Sequence, residues 1–340
     1  MVIDVLDRNE LPFPHSLPEF QSLFPDEAAC ANYLERVRWS KGFVCPHCAV
    51  ADEPRYISTR LSVLRCRHCR RDTSLTAGTV MERTHTPLSI WFWAAYLVVS
   101  QTPGMSAVQF QRQLGLSRYE TAFQILHKLR AGMVRPDQDK IGGKPDEIVE
   151  ADETWIGGRT RGKGRGIHDM VLVVCAVEVR QRKRTSSLNK RKTGRYAGRV
   201  RLSVVPDRSA KSLVGFIESA VAPGATIITD DWSGYTTLGK RGYLHTAVAE
   251  RGDMEVTETF LPIIHLVFSN LKTWLRGIHH GVSPQHLQAY LNEFTFRFNR
   301  RFYPFTAFRS LLGIAGDVTA PTYAELYAAK SRNTTSSGWV

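Results

Sequence analysis

The sequence predicts an α/β protein in which a mixed sheet flanked by helices follows a cysteine-bearing module and a helical region. Three observations indicate this fold class. Four of the six cysteines form two C-x-x-C pairs within residues 41–77. Helical patterns then continue to about residue 140, and β patterns begin after "GGKPDE" (142–147). A chain of 340 residues is long enough for two or three such domains.

Composition argues against a membrane protein and favours a polyanionic partner. The longest apolar run, "IWFWAAYLVV" (90–99), is about half of the ~20 residues that a membrane-spanning helix needs. The acidic N-terminus also differs from a secretory signal. The net charge of +13 is concentrated in "GGRTRGKGRG" (157–166) and in a basic insertion at 180–198. We therefore expect a cytoplasmic, nucleoid-associated protein that binds double-stranded DNA, with neither a membrane nor a small molecule as partner.

Residues 1–40 are predicted to form an N-terminal helical segment. Asp26 can cap a helix within residues 18–40. The apolar residues that follow it at helical spacing are Ala29, Tyr33, Leu34 and Val37.

The two cysteine pairs predict a zinc ribbon over residues 41–77. "CPHC" (45–48) and "CRHC" (66–69) are separated by 17 residues, which is typical of four-cysteine zinc sites. The segment between the pairs is predicted to form a β-hairpin. A closed four-thiolate site has no open position for water, so we expect a structural Zn²⁺ and surface positions for His47 and His68. The predicted ligands are Cys45, Cys48, Cys66 and Cys69.

Residues 78–140 are predicted to form a helical, helix-turn-helix-like region that binds DNA. "SAVQFQRQLGLSRYETAFQILHKLRAGM" (106–133) combines a short helix, a turn at Gly115 and a second helix. The second helix of such a motif enters the major groove, and an ordinary α-hairpin is the alternative. Its predicted buried residues are Ala122, Ile125, Leu126 and Leu129. The residues at the start of this second helix that are predicted to face the DNA are Ser117, Arg118, Tyr119 and Thr121.

The second half of the chain predicts the mixed sheet. Three β patterns, "EIVEADETWIG", "MVLVVCAVEV" and "RVRLSVVP", precede a helix, and "ATIITD" (225–230) follows it. The chain is then predicted to be helical from about 263 to 314. Consecutive strands followed by a helix and a further strand are typical of a mixed sheet in an α/β fold.

Two aspartates stand at or near the ends of β patterns in this region. Asp152 lies in "VEADETW" (149–155) and Asp230 in "IITDDWSGY" (227–235). Side chains at the ends of neighbouring strands can converge, and two aspartates a few ångströms apart need a cation to stay ionised. Mg²⁺ or Mn²⁺ suits such oxygens, and two such ions suit in-line displacement at phosphorus. At this level Glu150, Glu153 and Asp231 remain alternatives.

The later stretch "LPIIHLVFSNLK" (261–272) contains no carboxylate, although a third metal ligand is expected on a helix. Pro262 favours a helix start, and a helix over 263–277 forms two faces. The polar face contains His265, Ser269, Lys272 and Arg276. The apolar face contains Val267, Leu271, Trp274 and Ile278. An imidazole can bind a divalent metal and an amide such as that of Asn270 can bind Mg²⁺, while an ordinary helix-start histidine is the alternative.

The order of these motifs resembles bacterial insertion-sequence transposases. The zinc ribbon, the helical region, "ADETWIGG", "TDDWSGY" and "SNLKTWLRGIHHGVSPQHLQAYLNEFTFRFNRR" are together similar to the zinc-ribbon-bearing group called the IS fifteen-ninety-five family, over roughly residues 18–312. The resemblance implies an RNase H-like catalytic domain over 145–315, followed by a tail at 316–340. It also implies that this domain cuts and joins DNA at transposon ends with two Mg²⁺ ions.

The resemblance implies roles for individual residues. Asp152 matches the first acid in "ADET", and Asp230 matches the acid of the "TD" motif. The third position lies seven residues before a lysine, so Lys272 places His265 there as a variant with histidine in place of the third acid. A neutral ligand there should weaken the binding of the second ion. Asn270 and Glu293 are alternatives for the third position, and Glu293 is ranked as an ion-pair partner of Arg297.

The resemblance implies a transposase that binds terminal inverted repeats and catalyses metal-dependent strand cleavage and strand transfer. A homodimer or larger assembly is expected on DNA, because two ends must be joined. The alternatives are a zinc-ribbon DNA-binding regulator with an inactive catalytic domain and a structure-specific metal-dependent nuclease. The expected DNA contacts are Arg118, Lys128, Arg159, Arg161, Arg276, Arg297 and Arg300.

Overall fold

A computed structural model describes residues 11–135, 138–144, 147–157, 170–181, 194–249, 260–319, 321–322 and 325–326. Arg159, Arg161 and most of the two basic segments lie outside the described residues, as does most of the predicted tail. The chain divides into two compact units, Met1–Pro136 with Arg300–Val340 and Asp137–Asn299. Within the described ranges, no helix is long and apolar enough to cross a membrane.

The secondary structure alternates between helical and β segments along the chain. The helices are α1 (Leu17–Leu23), α2 (Glu27–Arg38), α3 (Leu88–Ser100), α4 (Ala107–Gln113), α5 (Tyr119–Ala131), α6 (Ala210–Ala220), α7 (Pro262–His279), α8 (Leu287–Asn299) and α9 (Pro304–Asp317). The strands are β1 (Arg55–Tyr56), β2 (Val63–Arg65), β3 (Asp72–Ser74), β4 (Ile148–Ile156), β5 (Val171–Gln181), β6 (Arg195–Val205), β7 (Thr226–Asp230) and β8 (Leu244–Val248).

The N-terminal helical segment consists of two helices, where the sequence predicted one helical stretch. The Asp26 carboxylate caps α2 by accepting a hydrogen bond of 2.8 Å from the Ala29 amide, as predicted. The chain leaves helical geometry at Phe24 because Pro25 disfavours a helical conformation in the residue before it. Asp26 therefore starts a new helix.

The zinc-ribbon and two-helix predictions are both confirmed in the first unit. Strands β1 and β2 pair antiparallel between the two cysteine pairs, and β3 adds a third strand. Helices α4 and α5 pack together, and Gly115 has the positive φ of 61° that the turn requires. The residues of α5 that were predicted to be buried are all buried, namely Ala122, Ile125, Leu126 and Leu129.

The second unit is built on a five-stranded mixed sheet in the order β6-β5-β4-β7-β8. Strands β4, β5 and β6 pair antiparallel, whereas β7 and β8 run parallel to β4. The predicted mixed sheet is thus confirmed. Edge strand β8 was not predicted, because its "LHTAV" pattern is only partly buried and lacks an alternating apolar face.

Helices cover both faces of this sheet. Val149 and Ala151 of β4 pack in the core formed with α6, and α7 and α8 pack in the core on the other side. Because side chains alternate along a strand, Glu150, Asp152 and Thr154 lie on the α7 side. The residues of α7 buried in this core are Ile263, Ile264, Val267, Phe268, Leu271 and Leu275.

The last described helix, α9, differs from the predicted domain boundary. The catalytic domain was predicted to extend to residue 315, but α9 belongs to the first compact unit. The reason is aromatic packing, since buried Phe308 lies with its ring centroid 5.5 Å from Phe24 and 6.1 Å from Phe92. The amphipathic pattern of 304–317 gives no indication of which surface covers its apolar side.

Candidate active site and metal centre

The four ribbon cysteines are arranged as a zinc site requires. Their sulfur atoms lie within 4.8 Å of one another, and none of the four forms a disulfide. The Sγ atoms of Cys45 and Cys69 are 3.6 Å apart, and those of Cys48 and Cys66 are 3.7 Å apart. A tetrahedral zinc with Zn–S bonds of about 2.3 Å has sulfur atoms roughly 3.8 Å apart. The residues present therefore fit a Zn²⁺ ion.

Each cysteine pair lies in a tight knuckle. The His47 amide donates to Cys45 Sγ, and the Cys69 amide donates to Cys66 Sγ, both at 3.4 Å. The residue after each pair, Ala49 or Arg70, has a positive φ near 60°, which turns the chain back. Amide donors stabilise the thiolate form that binds metal. The knuckles therefore favour ligation.

Asp152 and Asp230 are brought together by the pairing of two parallel strands. Glu150 of β4 pairs with Ile228 of β7, so the same register places Asp152 beside Asp230. Neighbouring strands lie about 4.8 Å apart. Carboxylate oxygens of Asp152, Asp230 and Glu153 lie within 4.8 Å of one another. The three side chains form the carboxylate cluster.

Glu153 has partners of its own inside this cluster. Its side chain is 1% exposed, and it forms an ion pair with Arg208. The buried hydroxyl of Tyr235 donates to Glu153 Oε2 at 2.6 Å, and burial together with Glu153 holds the pKa of Tyr235 well above its usual value. Sequence reasoning did not find Arg208 or Tyr235. Glu153 is 55 positions from Arg208 and 82 from Tyr235, and no local pattern marks either contact.

Glu150 acts as the N-terminal cap of α7. Leu261 occupies the N-cap position and has no side-chain oxygen. The Glu150 Oε2 atom instead accepts hydrogen bonds from the amides of Ile263 at 2.9 Å and Ile264 at 2.8 Å. Burial raises the pKa of Glu150 to about 7, although the two amides act in the opposite direction. This carboxylate therefore anchors the first turn of α7 to β4.

A second contact fixes the orientation of α7 on β4. The Lys272 amine donates to Thr154 Oγ1 at 2.7 Å. Burial and neighbouring Arg276 lower the pKa of Lys272, whereas Asp152 acts in the opposite direction. From Ile263 to Lys272 a helix rises about 13 Å, and from Glu150 to Thr154 a strand extends about 13 Å. The two contacts are therefore compatible with α7 lying along β4, with Asp152 between them.

An open groove of about 870 Å³ lies beside Asp152 and α7. The predicted polar face of α7 lines it with His265, Ser269, Lys272 and Arg276. His265 shares the groove with Asp152 but is not part of the 4.8 Å carboxylate cluster. Neither alternative for the third position lines this groove. Asn270 is exposed, and buried Glu293 forms the predicted ion pair with Arg297 at 3.5 Å.

The remaining candidate DNA contacts differ in their surroundings. Arg118 is exposed directly before α5, and Arg300 is half-buried. The Lys128 amine donates to the Glu82 carbonyl at 3.0 Å, and burial lowers its pKa. The Lys128 amine therefore already has a hydrogen-bond acceptor within the first unit.

The chain matches two known families. Residues 144–299 match the ISXO2-like transposase domain, and residues 25–72 match the transposase zinc-ribbon domain. An uncharacterized protein in transposable element ISH50 of the archaeon Halobacterium salinarum is 24% identical over 291 residues, which cover 81% of this chain and 91% of that protein. No solved structure matches significantly. The predicted fold class, an RNase H-like mixed sheet with an N-terminal zinc ribbon, is confirmed by the two family matches.

Removal of zinc is expected to unfold the ribbon alone. Cys66→Ser should reduce the bound zinc from about one ion per chain to near zero, because structural zinc sites need four ligands. Hydrogen exchange should then rise across residues 41–77 and stay unchanged in β4 and β5. His68→Ala is the matched control, since this exposed residue lies inside the same knuckle. Zinc retained by the serine variant would contradict the assignment.

Removal of the Glu150 cap is expected to destabilise the second unit. Glu150→Ala leaves two buried amides of α7 without their acceptor, which should lower the free energy of unfolding by about 2–3 kcal/mol. Glu150→Gln should lower it less, because its amide oxygen can still accept. Chemical denaturation followed by tryptophan fluorescence measures both. Equal stability of the alanine variant and the parent would refute this role.

Proposed function

We propose, from the premise that the chain is an ISXO2-like DDE transposase with a zinc ribbon, that it binds the terminal inverted repeats of an insertion sequence and catalyses metal-dependent DNA cleavage and strand transfer. The carboxylate cluster carries this proposal. Asp152 and Asp230 meet there beside a groove whose wall contains His265, Lys272 and Arg276. Acidic metal ligands next to basic groups are what phosphoryl transfer on a polyanion requires.

In the proposed reaction, Asp152 and Asp230 hold the divalent ions, and His265 supplies the third position. Two Mg²⁺ or Mn²⁺ ions, when bound, activate the attacking oxygen and stabilise the leaving 3′ oxygen. Glu150 and Thr154 hold α7 so that His265 faces the site. Lys272 and Arg276 bind phosphates of the strand that lies in the groove. Water acts as nucleophile in cleavage, and a 3′-hydroxyl acts in strand transfer.

End recognition is assigned to the first unit in this proposal. The zinc ribbon and helices α4 and α5 bind the inverted repeats, with exposed Arg118 at the start of α5. Two or more protomers act together, because strand transfer joins two ends.

Loss of either aspartate is expected to abolish cleavage. Asp152→Asn and Asp230→Asn should each slow the cutting of a transposon-end duplex by about a thousandfold or more, which corresponds to roughly 4 kcal/mol of transition-state stabilisation. End binding, measured by mobility shift, should remain. Asp231→Asn is the matched control, since Asp231 is exposed and lies outside the carboxylate cluster.

The same assay separates the proposal from its alternatives. A DNA-binding regulator would bind the ends without cutting them, even with Mn²⁺. A structure-specific nuclease would cut branched DNA equally well with and without the terminal repeats. Full-rate cutting by either asparagine variant would show that the site has been misassigned.

The third position is tested by comparing three residues. His265→Ala should slow cleavage by about a hundredfold, on the scale of losing one positioned catalytic group. Asn270→Ala should have little effect on the rate. Glu293→Ala should lower the thermal midpoint rather than the rate, because it leaves Arg297 without this ion pair. A large rate loss in the Asn270 or Glu293 variant, with the His265 variant unaffected, would move the third position.

A further inference from the structure

We propose that Arg208 is an internal counter-ion of the carboxylate cluster, and that Glu153 anchors Arg208 rather than binding the catalytic metal. The inference rests on the proposed function, since it concerns the same metal site. It assigns roles to two residues for which the family motifs give none. It also predicts that the protein binds divalent metal weakly in the absence of DNA.

Both carboxylate oxygens of Glu153 accept hydrogen bonds. Arg208 Nε donates to Glu153 Oε1 at 2.5 Å, and Nη2 of Arg208 contacts the same oxygen. Tyr235 donates to the other oxygen, Oε2. Both oxygens of this buried carboxylate therefore already accept hydrogen bonds, and a metal ion would compete with Arg208 for Oε1.

The Arg208 nitrogen that contacts Glu153, Nη2, also lies near a proposed metal ligand. Arg208 Nη2 is 3.8 Å from Asp230 Oδ2. The guanidinium carbon lies 3.8 Å from the centre of the Trp232 ring, and Trp232 Nε1 donates to the Arg208 carbonyl at 2.9 Å. A Cβ on Gly234 would lie 2.7 Å from that carbonyl oxygen, so the glycine permits this close approach. The loop after β7 thus holds Arg208 against Asp230.

The formal charges of the cluster indicate how Arg208 affects metal binding. Three carboxylates and one guanidinium leave the cluster with a formal charge of −2 instead of −3. A divalent ion bound to Asp230 would meet the positive charge of Arg208 a few ångströms away, and at this distance like charges repel appreciably. The Arg208 side chain is 34% exposed, so a DNA phosphate can reach its guanidinium. Arg208 therefore stabilises the acidic cluster without metal and opposes metal binding in the free protein.

A charge-matched set of variants tests this role. Glu153→Gln combined with Arg208→Gln removes one negative and one positive charge, so the cluster keeps its formal charge of −2 while Asp230 loses the guanidinium. Mn²⁺ binding to the full-length, zinc-loaded protein is measured without DNA, by the electron paramagnetic resonance signal of free Mn²⁺. We expect the double variant to bind Mn²⁺ about tenfold more tightly than the parent.

The single variants separate the anchor from a metal ligand. Glu153→Gln alone should weaken Mn²⁺ binding, because Arg208 then faces only Asp230. Adding Arg208→Gln should restore the affinity and raise it above that of the parent. If Glu153 were a metal ligand, the double variant would stay as weak as the single one, and that outcome would overturn the proposal, as would unchanged affinity.

Two further variants keep the test decisive. Glu218→Gln with Arg241→Gln removes an exposed ion pair of the same unit outside the carboxylate cluster and should leave Mn²⁺ affinity unchanged. If the double variant at 153 and 208 does not fold, Arg208→Gln alone replaces it, since it removes the positive charge beside Asp230 and leaves Glu153 with its hydrogen bond from Tyr235. That variant should also bind Mn²⁺ more tightly, and equal or weaker binding would again overturn the proposal. The titration needs no DNA, so a chain that fails to cut transposon ends would refute the proposed function without affecting this result.

Discussion

The placement of α7 in the candidate site depends on a buried carboxylate, Glu150. Helix α7 begins at Pro262 after an apolar N-cap residue, so its first amides have no acceptor within their own segment. Glu150 supplies that acceptor across more than a hundred residues of sequence. Together with the contact between Lys272 and Thr154, this fixes both the position and the rotation of the helix. These two contacts and the buried apolar residues of α7 together set the register of its polar face against Asp152.

Strand β4 serves both sides of the sheet because its side chains alternate. Glu150, Asp152 and Thr154 point to the α7 side, whereas Glu153 meets Arg208 and Tyr235. If β4 shifted by one residue, Glu150 and Asp152 would point away from α7. The cap of α7 and the proposed metal ligand would then both be lost. Buried Val149 and Ala151, which pack in the α6 core, favour the observed register.

The predictions from sequence succeeded where the determining pattern is local. An apolar run ending in aspartate placed Asp230 at the end of β7, and helical periodicity placed His265 and Lys272 on one face. Asp152 was also expected at or near a strand end, but it lies in the middle of β4, because that strand continues to Ile156. They failed where a distant partner decides the outcome. The pairing of Glu153 with Arg208 and the packing of Phe308 with Phe24 depend on tertiary contacts that no short segment encodes. Strand β8 was missed because pairing with β7, rather than an apolar face, defines it.

A neutral side chain at position 265 is compatible with the electrostatics of the helix start. Glu150 is already buried against the first turn of α7, and its pKa of about 7 reflects the unfavourable burial of its charge. A glutamate at 265 would place a second negative charge directly after the two amides that Glu150 holds, and would disfavour ionisation of both groups. A neutral imidazole avoids this repulsion and still offers a nitrogen to a divalent ion. The histidine in the proposed third position is therefore compatible with the acidic cap that orients it.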